Sequence, residues 1–206
     1  RGLCSSCYAE QSGKRAMKTA AKQKVTRDVQ TGRPECRWCK QPVPKGKRTF
    51  CGDECVHEWR MRTSPQYVRM IVFERDRGIC AKCGLDTPSM ELKLSDIFVR
   101  NRDTHERIWN TLLDNGFSKN RRHGLWDADH IQSIRDGGGL CGLDNYRTLC
   151  IPCHKDETRK LHKRMAVERK AGRDPSAIPH GTTWSAEEMA TSSTRARAIE
   201  MLLGII

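Results

Sequence analysis

The sequence is poor in the material that builds a large core: hydrophobic residues make up 36%, aromatic residues 6%, and the mean hydropathy is -0.73. A chain of 206 residues with that inventory does not bury one core drawn from its whole length, so something else must hold parts of it together. No run approaches the roughly 18 apolar residues of a membrane span, and the first residues lack the apolar centre of a signal peptide. The expectation is a soluble, intracellular protein with no membrane partner. Acid is short as well: 25 Asp and Glu face 38 Lys and Arg, a formal charge of +13. That balance points to a polyanion such as DNA. Helicase, ATPase and methyltransferase motifs are missing.

What the sequence has is cysteine, eleven in all. Eight form Cys-x2-Cys pairs at 4/7, 36/39, 80/83 and 150/153, and Cys51 and Cys55 form another close pair. Such pairs mark metal knuckles rather than a disulfide framework. They require thiolates and so a reducing compartment: the cytoplasm for a bacterial or phage protein, the nucleus for a eukaryotic one.

Four stretches follow. Residues 1–33 read as a basic arm, in which Cys4 and Cys7 are either half of a zinc knuckle completed upstream of Arg1 or two free thiols. Residues 34–63 carry Cys36, Cys39, Cys51 and Cys55 around a turn-rich QPVPKGKRTF, which predicts a treble-clef-type zinc finger. A hairpin should lie between the pairs, and Asp53 should cap a helix through CVHEWRMR. Residues 64–170 form the main domain, opened by a helix with Ser64 as cap and Pro65 in its first turn, ending at Gly78. Within it, 84–124 reads as a polar insertion containing one amphipathic helix through Ile108, Trp109, Leu112 and Leu113. Residues 171–206 read as a linker and a last helix started by a capping box at Ser185 and Glu188. The apolar end of that helix should dock on the domain, on a protein partner or on a second copy.

The chemistry concentrates in LWDADHIQSIRDGGGLCGLDNYRTLCIPCHKDET, residues 125–158. LWDADHI alternates like a half-buried strand, a glycine-rich loop follows, YRTLC is a second strand, and a helix runs on from His154. This ββα unit is too small to be stable alone. Cys80, Cys83, Cys150 and Cys153 would clamp it with a second structural Zn2+ across 66 intervening residues. Phosphodiester hydrolysis needs an activated water and neutralisation of the scissile phosphate. His130 suits a general base, since imidazole titrates near neutral pH. Asp129 and His154 would hold one Mg2+ or Mn2+, with open positions for water and phosphate. Asn145 is placed to pin the loop by bonding to backbone.

Residues 126–158, with His130, Asn145 and His154 preceded by Asp129 and bracketed by the two Cys-x2-Cys pairs, resemble the HNH endonucleases of the ββα-metal fold, in their zinc-stapled subclass. The order of finger, helix, knuckle, insertion and core over 34–165 is similar to phage and bacterial HNH proteins and to the nuclease module of a replication-fork translocase. The resemblance implies a small α+β fold and metal-dependent cleavage of DNA. It also implies that the helix carrying Lys155, Arg159, Lys160, Lys163 and Arg164 lies against the duplex and contacts phosphates without reading bases. Some relatives place a further His where this chain has Thr158, which leaves Asp156 or Glu157 as the remaining candidates for a third ligand. The competing reading is a non-catalytic, zinc-dependent nucleic-acid-binding or adaptor module.

Overall fold

A computed structural model of the chain describes residues 26–118, 124–171 and 184–204. Cys4, Cys7, His123 and the linker 172–183 lie outside the described residues. The chain divides into two compact units, whose described parts are 26–68 with 133–145, and 69–132 with 146–204.

In the first unit, helix α1 spans Asp53–Thr63. Its cap is Gly52, without a side-chain bond, and not Asp53, which sits in the first turn beside Glu54 where the helix dipole favours acids. The expected hairpin shrinks to one isolated bridge, Glu35 with Pro42, and a tight turn at Pro44–Lys47. Cys36, Val43 and Met61 are buried. Phe50 packs on Trp59, and Arg62 lies over the Trp38 ring. Residues 133–145 add two single-turn 3-10 helices, Ile134–Asp136 and Leu143–Asn145.

Helix α2, Pro65–Asp76, begins as its sequence requires: Pro65 occupies the first turn and the Ser64 hydroxyl accepts from the Tyr67 N–H at 3.3 Å. It ends two residues before Gly78, because Arg77 already takes the left-handed conformation. Gly78 continues the reversal at φ 73°, where a Cβ would stand 2.8 Å from the Pro88 ring.

The second unit departs most from expectation in residues 84–118. Two helices form there, α3 (Thr87–Arg100) and α4 (Arg102–Asp114), capped by Asp86 and Asn101. The sequence shows α3 poorly because exposed Leu92, Phe98 and Val99 blur the spacing of its inward residues Met90, Leu94 and Ile97. The segment read as a polar insertion therefore supplies the core: Met90, Leu94, Ile108, Trp109 and Leu112 cluster with Leu125, Leu149 and the four cysteines 80, 83, 150 and 153.

Strand β1 (Trp126–His130) pairs antiparallel with β2 (Tyr146–Cys150), in register Trp126 to Cys150 and His130 to Tyr146. The start of β1 is fixed from α3, where Glu91 accepts from the Leu125 N–H at 2.8 Å. Helix α5 (Ile151–Ala171) follows β2 without a loop. Helix α6 (Ala186–Leu202) opens with the expected Ser185–Glu188 capping box. Its Ala196 and Ile199, with Leu203, are buried in the same core, while Met189, Met201 and Leu202 are exposed.

Candidate metal and nuclease site

The two cysteine sets predicted from spacing are each assembled. In both, the sulphurs of all four residues lie within 4.8 Å of one another. Neighbouring sulphurs such as Cys39 and Cys51 (3.5 Å), Cys51 and Cys55 (3.3 Å), and Cys83 and Cys150 (3.7 Å) approach the roughly 3.8 Å that a tetrahedral ion with Zn–S bonds of about 2.3 Å demands. Both sets are therefore positioned to hold zinc. Their proton balance fits a cation too. Burial opposes ionisation of Cys36, yet N–H groups donated from Cys39 and Cys51 bring it down to about 6. Among the buried four, contact with Cys150 and Cys153 holds the Cys80 thiol far below its ordinary value, while Cys153 and Cys80 push Cys150 far above. Four thiolates in contact repel, and a divalent ion at the centre removes the conflict.

The remaining chemistry lies on one face of β1. Side chains alternate along a strand, so Asp127 and Asp129 point the same way and meet His154 from the first turn of α5. The Asp127 carboxylate lies 3.1 Å from His154 Nδ1, and Asp129 Oδ1 lies 3.6 Å from His154 Nε2. The structure thus brings together the two residues expected to bind the exchangeable ion. Their separation is close to the roughly 3 Å between adjacent ligands on an octahedral ion with bonds of about 2.1 Å, so the donor pair fits such a metal. The other Asp129 oxygen is held by Arg147, its cross-strand neighbour, through Nε and Nη2 at 2.9 Å each. Burial pushes Asp129 above the usual carboxylate range against the pull of Arg147 and His154, and the Asp127 contact holds His154 above the usual imidazole value.

His130 closes β1 one residue after Asp129 and packs on its cross-strand partner Tyr146, with ring centroids 4.4 Å apart. Burial holds it below the ordinary imidazole value, so it is neutral at neutral pH. Asn145 donates from Nδ2 to the Gly138 carbonyl at 3.0 Å, a bond across the glycine-rich loop. Asp156 and Glu157 are engaged elsewhere: Asp156 pairs with Arg195 and Arg159, and Glu157 with Lys82 at 2.8 Å.

The cations expected on DNA are less idle than their sequence suggests. Lys155 donates to the Gly116 carbonyl at the end of α4, Arg159 meets Asp156, Lys160 meets Glu157 and Glu188, and Arg164 meets the buried Glu168. Lys163 is exposed and, with Arg159 and Lys160, lines a groove of about 390 Å³ that also takes in the acidic first turn of α6.

Sequence reasoning missed Asp127, Arg147 and Arg195. The first two were legible, since i and i+2 on a strand share a face and antiparallel register sets the partners. Arg195 was not. Its guanidinium reaches back from α6 to the Cys153 sulphur at 3.3 Å and to Asp156 at 3.2 Å.

Comparison with known proteins agrees with this geometry. Residues 117–160 match the family model of the HNH endonucleases. The chain is 32% identical over 164 residues to the mouse (Mus musculus) DNA annealing helicase and endonuclease ZRANB3, and 33% identical over 156 residues to the human (Homo sapiens) protein of that name. These matches take in 69% and 68% of this chain but only 15% and 14% of the relatives, so the chain spans a small part of their length. No solved structure gives a significant match. Across described residues no helix is long and apolar enough to cross a membrane. On the motif, the assembled cysteine sets and the family match, residues 117–160 are an HNH endonuclease domain.

Proposed function

We propose that the chain is a metal-dependent DNA endonuclease in which His130 is the general base and one Mg2+ or Mn2+ binds Asp129 and His154. The observation that carries this reading is the 3.6 Å approach of Asp129 Oδ1 to His154 Nε2, built by a strand and a helix clamped together by one cysteine set. A bound divalent ion supplies charge neutralisation at the scissile phosphate and at the departing oxygen.

The chain's own groups do the rest. His130, kept neutral by burial, takes a proton from water as the water oxygen bonds to phosphorus and the bond to the leaving 3′ oxygen breaks. Asn145 closes the glycine-rich loop. The two cysteine sets hold structural zinc and do no chemistry. Residues 34–63 act as a separate zinc finger, 64–170 as the nuclease domain and 171–206 as linker and closing helix. Lys155, Arg159, Lys160 and Arg164 meet phosphates by exchanging their intramolecular partners for the backbone of the duplex, and Lys163 joins them, so binding weakens steeply with salt and reads little sequence.

Supercoiled plasmid with Mg2+ or Mn2+ tests the reading. Wild-type protein nicks it, and His130→Ala lowers the rate by about 10²- to 10⁴-fold, the usual worth of a general base, while DNA binding persists. A wild-type protein inert with either metal would mean a binding module instead.

A further inference from the structure

His154 is held from both ring nitrogens. A neutral imidazole has one donor and one acceptor, and the closer of the two carboxylates, Asp127, decides which nitrogen keeps the proton. With the proton on Nδ1, the ring donates to Asp127 at 3.1 Å and turns the Nε2 lone pair toward Asp129 Oδ1. The other tautomer would set a lone pair against the Asp127 carboxylate and place a proton where a ligand atom is wanted.

Asp127 is itself fixed. Arg69 Nη1 lies 3.6 Å from its Oδ1 and donates to the Trp126 carbonyl at 2.6 Å, while the guanidinium lies 3.6 Å from the centre of the Trp126 ring. One residue of α2 thus grips the strand on each side of the Trp126–Asp127 peptide.

The geometry points to Asp127 as a positioning residue that selects the Nδ1–H tautomer of His154 and aims Nε2 at the position shared with Asp129, the carboxylate–histidine–metal arrangement. The inference rests on the reading of Asp129 and His154 as the ligands of the exchangeable ion, and it adds a carboxylate that touches neither substrate nor ion.

Long-range 15N–1H spectra of the His154 imidazole, recorded on the full chain at pH 8.5 before divalent metal is added, read the tautomer without any activity. Wild type and Asp127→Asn, whose amide oxygen still accepts the bond, show Nδ1–H; Asp127→Ala shifts the ring toward Nε2–H. Calorimetric titration with Mn2+ then shows affinity down roughly 10- to 100-fold in Asp127→Ala, with most of it kept in Asp127→Asn and zinc content unchanged in both. A merely structural ion pair would lower melting temperature in both variants and move neither tautomer nor affinity. Nε2–H in wild type, or an Asp127→Ala variant matching wild type in both readouts, overturns the inference. A wild type that shows Nδ1–H, loses it in Asp127→Ala and binds Mn2+, yet nicks no DNA, overturns the nuclease reading and leaves Asp127 in this role.

Discussion

The chain forms the same cysteine clasp twice, and the two copies differ in what they enclose. At the first knuckle the Cys36 N–H donates to the Gln41 carbonyl, the Lys40 N–H donates back to Cys36, and the Arg37 N–H reaches Thr49. At the second the Cys80 N–H donates to Leu85, Gly84 donates back to Cys80, and Ala81 reaches Thr148. The third cysteine ends KRTFC in one and YRTLC in the other, and the fourth is the third residue of its helix in both. The surroundings diverge. The first clasp has a buried Cys36 but an exposed Cys39, whereas all four cysteines of the second are buried in a core. Eleven residues separate the pairs of the first; the second encloses α3, α4, β1 and the glycine-rich loop. Where the second has His154 after its last cysteine, the first has Val56. On the proposed reading the clasp is scaffold, and the candidate site is drawn from the strand between its halves and from His154 just after its last cysteine.

The largest expected difference follows from that. Closing the long loop of the second clasp is worth about 4 kcal/mol, against about 3 kcal/mol for a loop of some fifteen residues, by the chain-entropy relation for crosslinks. The ligand bonds add more, and domain stabilities are only about 5–15 kcal/mol in total. Cys150→Ser should therefore unfold α3–α6: hydrogen exchange should lose protection throughout 80–118 and 146–171, and nicking should stop. Cys39→Ser should leave those amides as protected as in wild type. Equal collapse from both variants would break the comparison.

A smaller effect concerns release of the metal. Both sets carry an excess negative charge when four thiolates hold one Zn2+, but among the described residues only the second has a guanidinium on a ligand sulphur, Arg195 at Cys153. With a colorimetric chelator, zinc should leave in two phases of one equivalent each, the fast one from the half-exposed first clasp. Arg195→Leu removes hydrogen bonds to charged groups worth about 1.5–3 kcal/mol each at most and should bring the slow phase toward the fast one. It should also loosen α6, whose docking Ile199 and Leu203 otherwise sustain. A slow phase unmoved by the substitution would show that burial alone protects the second clasp.

The two clasps also separate what was legible in the sequence from what was not. Cysteine spacing exposed both metal sets, alternation exposed the first strand to within one residue at each end of LWDADHI, and YRTLC marked the second to the residue, because each signal is local. The repeat RTFC/RTLC was equally visible and would have predicted that the two sets share one backbone. Helix α3 was hidden by exposed Leu92, Phe98 and Val99, whose apolar character carries no packing information. Asp127 was hidden differently: its role depends on His154, 27 residues away, and on Arg69 beyond the knuckle. The residues around the reacting site could be nominated one by one from the motif, but their pairing needed the register of β1 on β2 and the angle at which α5 leaves it.

The finest distinction is at the fifth residue of each knuckle. Both knuckles turn there through the left-handed region, Lys40 at φ 63° and Gly84 at φ 78°. A side chain in that region costs about 1–2 kcal/mol, while glycine gives back roughly 0.5–1 kcal/mol through the entropy of its unfolded chain. A Cβ at Gly84 meets nothing within 4 Å, so Gly84→Ala introduces backbone strain without a clash. It should lower the stability of the second unit by about 1 kcal/mol, read from the denaturation midpoint at unchanged m-value. Lys40→Gly should raise that of the first by about as much, since the same strain and entropy terms act with their signs reversed. Substituting Gly84 by lysine, the residue the first clasp uses, should cost no more than alanine because the side chain enters open space. A larger loss with lysine would mean that the two knuckles, alike in these three backbone bonds, differ in the room beyond them.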